Sequence, residues 1–237
     1  PAIVFVFSRA GCDGAVEQCL RAGIRLTDDH ERAAIGLIVD RHTAGLPPAD
    51  LETLGYWSWR AALERGIAAH HAGLLPAFKE TVEELFAEGL VKVVFATETL
   101  ALGINMPART VVLERLVKYN GESHAEVTPG EYTQLTGRAG RRGIDIEGHA
   151  VVVWSPEVDV HAVAGLAAAR TFPLRSSFRP TYNMTVNLIA RRGRAAARSL
   201  LEQSFAQFQT GRTIVGTARQ VRLGDERIHE LEAALAC

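Results

Sequence analysis

Apolar residues come in short bursts separated by amphipathic stretches, and that alternation sets the expected architecture. "IVFVF" (Ile3 to Phe7) has the length and composition of a buried strand, and a helical pattern follows from about Asp13 to Arg21. Two more helical stretches are expected near Glu31 to His42 and Ala49 to Arg65. In "GIAAHHAGLLPAFKETVEELFAEGLVKVVFATE", Pro76 stands where a first helical residue belongs and Gly89 where a left-handed cap belongs. Phe78, Val82, Leu85 and Phe86 keep helical spacing between them. "VKVVFAT" and "RTVVLE" read as the next strands. "TPGEYTQLTGRAGRRG" opens with Thr128, Pro129 and Glu131 in capping-box positions, and Gly143 is expected to end its helix. "HAVVVW" closes the series. Strands separated by helices predict an α/β fold, a mostly parallel sheet with helices on both faces.

Beyond about Pro156 the texture changes to short helical patterns without strong strands. The tail "DERIHELEAALAC" spaces Ile228, Leu231 and Leu235 along one face. At 237 residues the chain fits one main domain plus an appendage. A start at Pro1 suggests a piece of a longer chain. No apolar run reaches the roughly 18 residues of a membrane span, so no membrane partner is expected.

The formal net charge of -1 means that any nucleic-acid contact must come from local clusters. Positive charge is almost all arginine, since Lys79, Lys92 and Lys118 are the only lysines. Cys12, Cys19 and Cys237 form no C-x-x-C pair, so no metal site is expected and a reducing cytoplasm is the expected location.

Four segments carry candidate chemistry. In "QLTGRAGRRG", Gln134, Arg138 and Arg141 fall within about 60° of one another if the segment is helical throughout. Guanidinium forks suit phosphate oxygens. Taken alone, the run favours an ordinary helix C-terminus with cations on its dipole. "FATETLALGINMPA" runs from a strand into Thr97-Glu98-Thr99 and Gly103-Ile104-Asn105, where ligands of parallel sheets bind, or where an N-cap simply starts a helix. The neighbours His70 and His71 point apart and cannot chelate one ion. Ser8 and Arg9 end the first strand at the ligand-facing edge.

Together and in this order, "FVFSR", "HHAGLLP", "FATETLALGINMPA" and "EYTQLTGRAGRRG" resemble the second motor lobe of superfamily 2 helicases, in the exosome-associated, superkiller-like DExH-box branch. An arginine- and alanine-rich member resembles the actinobacterial HelY type of that branch. The resemblance covers about Ile3 to Gln209. It implies a RecA-like lobe over residues 1–156, a winged-helix-like segment over 157–209 and a truncated helical region over 210–237. It implies ATP as cofactor, held against a first lobe, with Gln134, Arg138 and Arg141 at the nucleotide. Arg141 is the first choice for an arginine finger and Arg138 the second. Gly103, Asn105 and Gly137 are implied nearer the nucleotide, and Ser8, Arg9, His71, Thr97 and Glu98 on the path of single-stranded RNA or DNA. RNA is favoured, and RNA-degradation machinery is an implied partner.

The chain has no G-x-x-x-x-G-K-[ST] and no D-E-x-H box. The phosphate cradle and the Mg2+ ligands are therefore expected on the first lobe, and the fragment alone is expected to be inactive. The rival expectations are a non-catalytic nucleic-acid-binding module of the same fold and a DNA helicase. A dinucleotide enzyme is disfavoured, because no G-x-G-x-x-G follows a strand.

Overall fold

The computed structural model describes residues 1–101, 106–119, 123–169, 176 and 178–211, in two compact units, Pro1–Arg170 and Thr171–Cys237. The first unit contains strands β1 Ala2–Phe5, β2 Ile67–His70, β3 Val93–Ala96, β4 Thr110–Leu113, β5 Val117–Tyr119, β6 His124–Glu126 and β7 His149–Val152. Five of them form one sheet in the order β2-β3-β1-β4-β7. Every pairing in it is parallel, with Ile3 opposite Val94 on one side and Val111 on the other. The helices of this unit are α1 Arg9–Arg21, α2 Asp29–Thr43, α3 Tyr56–Leu63, α4 Pro76–Ala87, α5 Pro129–Thr136 and α6 Val160–Ala168.

Alternating strand residues serve opposite faces. Ile3, Phe5, Val94, Ala96, Val111 and Leu113 share a cluster with Val39 of α2, Leu63 of α3, Val82 and Leu85 of α4, and Leu135 of α5. On the other face Val4, Ala69 and Phe95 meet Cys12 and Val16 of α1. The sheet is therefore covered on both sides, by α2–α5 on one and α1 on the other. Each large side chain fully buried contributes about 1.5–3 kcal/mol, so the α2–α5 face holds most of the core.

The local signals act where the sequence puts them. Pro76 occupies the first turn of α4, and Gly89 takes a φ of 73° just beyond it. Thr128 and Glu131 form a complete capping box at the start of α5.

Other elements differ from expectation. The Ser8 hydroxyl accepts the Gly11 N–H at 3.2 Å, so α1 begins at Arg9 rather than near Asp13. The stretch expected as one helix over Ala49 to Arg65 breaks at Gly55, whose φ of 66° is left-handed, and only Tyr56–Leu63 is α-helical. Helix α5 stops at Thr136, well before Gly143, because the chain turns away to bridge Ala108 to Ala139. The antiparallel pair β5–β6 was not foreseen by periodicity. The first unit also runs past the break expected near Pro156, since α6 packs on α5.

The second unit contains α7 Tyr182–Arg192 and α8 Arg194–Glu202, packed together around Gly193. The Ser176 N–H donates to Gln209 Oε1 at 2.7 Å. Among its described residues there is no strand. Ile228, Leu231 and Leu235 lie outside the described residues. Among the described residues, no helix is long and apolar enough to cross a membrane.

Candidate functional site

Because the five strands run one way, their carboxyl ends share an edge, where ligands of open parallel sheets bind. Backbone hydrogen bonds tie the segments leaving that edge to neighbouring strands. The Thr97 N–H donates to the His70 carbonyl at 3.3 Å, and the Glu114 N–H donates to the Phe5 carbonyl at 3.2 Å. Ser8, Arg9, His71, Thr97 and Glu98 are all brought to this edge.

Their local roles differ. Ser8 is the N-cap of α1, so its hydroxyl already accepts a helix N–H. Arg9 is exposed and, among the described residues, has no ion-pair or hydrogen-bond partner. His70 and His71 do point apart. His70 Nε2 lies 2.9 Å from Glu83, and His70 Nδ1 is buried with no partner among the described residues. His71 is buried, with Nε2 3.0 Å from Asp13 and Nδ1 accepting the Gly73 N–H at 3.1 Å. That acceptor role fixes the tautomer: in neutral His71, Nε2 carries the proton and donates to Asp13. The ring can orient Asp13 and Gly73 but offers no free nitrogen. Thr97 and Thr99 share a hydroxyl contact at 3.0 Å, and Glu98 pairs with Lys118. An open depression of about 330 Å3 lies here, lined by His70, His71, Lys79, Glu80, Glu83 and Thr99 among others.

The arginine segment lies at the opposite edge. The Ala108 N–H donates to the Arg138 carbonyl at 2.9 Å, and the Gly140 N–H donates to the Ala108 carbonyl at 2.7 Å. Ala108 precedes β4, so the segment sits at the amino edge. That is one four-residue strand, roughly 13 Å at about 3.3 Å per residue, from the carboxyl edge. Gln134 is on α5, while Arg138 and Arg141 lie beyond it, so the common helical face expected for the three does not exist. The Gln134 side chain is exposed and makes no hydrogen bond among the described residues. Gly137 caps α5, and Gly103 and Asn105 lie outside the described residues.

Arg141 is held by a residue that sequence reasoning missed. Its Nε and Nη2 donate to the two oxygens of Asp145, each at 2.8 Å, and its own N–H donates to Asp145 at 2.9 Å. The Arg141 guanidinium, helped by that N–H, holds the Asp145 carboxyl well below the usual carboxylate range. Nη1, with two donors, has no partner among the described residues. This fork suits an anion, because the occupied edge fixes the direction of the free one.

Two glycines hold the segment close. A Cβ on Gly148 would lie 2.5 Å from the Gly140 nitrogen and 2.6 Å from the Ala139 carbonyl carbon. Gly140 itself takes a φ of 91°. The i to i+4 spacing of Arg141 and Asp145 was the available sequence signal for the pair. Nothing local announced Gly148, whose role arises from a contact eight residues away.

Comparison with known proteins adds a family to this geometry. Residues 49–143 match the Helicase conserved C-terminal domain. The "Probable helicase HelY" of Mycobacterium tuberculosis is 66% identical over 235 residues, 99% of this chain and 26% of that protein. The "DExH-box ATP-dependent RNA helicase DExH15 chloroplastic" of Arabidopsis thaliana is 39% identical over 255 residues, 100% of this chain and 21% of that protein. The "Exosome RNA helicase MTR4" of Mus musculus is 37% identical over 231 residues, 98% of this chain and 22% of that protein. The chain thus spans about a quarter of the length of these curated relatives.

Proposed function

The chain belongs to the superfamily 2 helicases of the HelY and superkiller-like branch, and from that premise we propose that it is the second motor lobe of an ATP-dependent helicase. The observation that carries the reading is the division of candidate residues between two edges of one parallel sheet. Arg9, Thr97 and Thr99 offer a cation and hydroxyls at the carboxyl edge, suited to a nucleic-acid backbone. Arg141 offers an oriented, partly free guanidinium at the amino edge, suited to a transferring phosphoryl group.

Asp145 positions the Arg141 fork, and Arg141 acts as the arginine finger, with Arg138 beside it and Gln134 on the adjoining helix. Gly103, Asn105 and Gly137 border the nucleotide. Ser8, His71 and Glu98 shape the nucleic-acid edge, Ser8 and His71 through the groups they orient. The first RecA-like lobe supplies the phosphate cradle and Mg2+ ligands, neither of which this sequence contains. ATP bound between the lobes would supply the phosphoanhydride whose hydrolysis, with water as the phosphoryl acceptor, powers the motor. Two relatives carry RNA helicase in their names, and single-stranded RNA is the proposed substrate, with RNA-degradation machinery as partner, in the cytoplasm. The winged-helix-like segment is assigned to residues 157–209, which begin within the first unit and continue into the second, and 210–237 to the start of a further helical region.

The test compares ATP hydrolysis by the 237-residue chain with that of the full-length protein, with and without single-stranded RNA. Turnover is expected only from the full-length protein, stimulated by RNA. RNA-stimulated hydrolysis by the isolated chain would overturn the two-lobe assignment.

A further inference from the structure

Lys118 stands outside every motif, yet at the carboxyl edge it joins two separate elements. Its ammonium contacts Glu98, two residues beyond β3, and Glu131 Oε1 at 2.7 Å, in the first turn of α5. The side chain is only 13% exposed. Burial disfavours its charge, but Glu131 and Glu98 outweigh that and raise its pKa above the ordinary lysine value. An exposed ion pair would be worth little. Here one shielded cation is shared by two carboxylates from different elements, so displacing either carboxylate changes the environment of the other.

The topology says what that sharing connects. Glu131 Oε2 accepts the Thr128 N–H at 2.8 Å, so the carboxylate that meets Lys118 also caps α5. The Val127 N–H donates to the Leu116 carbonyl at 2.7 Å, which places the start of α5 by the carboxyl edge. The eight residues of α5 span about 12 Å at about 1.5 Å per residue. At the far end Gly137 leads into Arg138, whose carbonyl accepts the Ala108 N–H. Glu98, Lys118, Glu131, α5 and the Arg138–Arg141 segment thus form one continuous physical connection.

We propose that Lys118 is a positioning residue that couples nucleic-acid occupancy at the carboxyl edge to placement of the arginine segment at the amino edge, through α5. Movement of Glu98 when a strand binds shifts the ammonium it shares with Glu131, and α5 carries that shift along its axis. Lys118 itself touches neither ligand. The inference rests on the motor-lobe reading above.

The coupling is measured in the full-length protein as a ratio: the Kd for a single-stranded RNA oligonucleotide without, and with, a non-hydrolysable ATP analogue. Such ratios typically lie at roughly 5- to 150-fold between linked sites, and linkage makes them reciprocal. Lys118→Met is expected to bring the ratio to within about twofold of one, and Glu131→Gln to reduce it in the same direction. Lys118→Arg, which keeps the charge, is expected to retain a ratio clearly above one. A purely structural salt bridge would lower thermal stability or change both Kd values together, leaving the ratio as in the wild type. That result overturns the proposal. A wild-type ratio of one overturns the motor-lobe reading and this inference with it, whereas an intact wild-type ratio unchanged in both variants overturns the inference alone.

Discussion

Gly148→Ala tests whether the arginine segment is held by close backbone approach. The added methyl would stand 2.5 Å from the Gly140 nitrogen, 2.6 Å from the Ala139 carbonyl carbon and 2.7 Å from its oxygen. All three are main-chain atoms, so no rotamer change relieves the contact, and the Ala139–Gly140 backbone must move. Overpacking of this kind costs about 1–3 kcal/mol. With a urea m-value of about 3 kcal/mol/M, a cost of about 2 kcal/mol lowers the midpoint by about 0.7 M. Trp57, Trp59 and Trp154 all lie in the first unit, so tryptophan fluorescence follows that unit by itself. This separation matters because two units need not unfold as one. Gly14→Ala is the control. It sits exposed within α1 with nothing within 4 Å of its added Cβ, and is expected to stabilise by up to about 1 kcal/mol. In the full-length protein, Gly148→Ala is also expected to reduce ATP turnover, because Arg138 and Arg141 ride on the displaced segment. An unchanged midpoint together with unchanged turnover would refute the close-approach account.

Other consequences are equally direct. Burial pushes the Cys12 thiol up to about 12, so in the native chain at pH 8 a thiol reagent should modify the partly exposed Cys19 and spare Cys12; equal labelling rates would contradict the buried placement. His42 and then Arg41 hold the Glu84 carboxyl, which ties α2 to α4, below its ordinary value. A depressed carboxylate stabilises fully above its unfolded pKa of about 4.3, and that contribution is lost as pH falls through the folded value. Glu84→Gln should therefore lower the denaturation midpoint at pH 7, and the gap from wild type should close below about pH 4.3; a gap independent of pH would contradict the assignment. Arg9→Ala should leave stability unchanged, weaken single-stranded RNA binding by the full-length protein across all sequences, and reduce the salt slope by about one.

The parts of the fold that the sequence announced are those set by local chemistry. Pro76 and Gly89 frame α4, and Thr128 with Glu131 starts α5, because capping acts within one turn of chain. The parallel pairing, though not the strand order, followed from strand and helix alternation. What escaped was set by distant contacts. Nothing in "TGRAGRRG" tells a continuing helix from a chain that leaves it to bridge Ala108 with Ala139. The three-residue strands Val117–Tyr119 and His124–Glu126 are too short to show alternation, so the hairpin that carries Lys118 stayed hidden. The structure brings the candidate residues of the carboxyl edge together and gives two of them a local task. Ser8 caps a helix and His71 holds Asp13, because both groups are satisfied within the lobe.

In the proposed function Arg141, aimed by Asp145, completes an ATP site on another lobe. The most direct measurement is steady-state ATP hydrolysis by full-length Arg141→Ala with saturating single-stranded RNA, alongside its RNA affinity at several salt concentrations. Turnover is expected to fall about a thousandfold or more, with RNA affinity and salt slope unchanged. Retained turnover, or weaker RNA binding with a reduced salt slope, would contradict it and make Arg141 a nucleic-acid clamp.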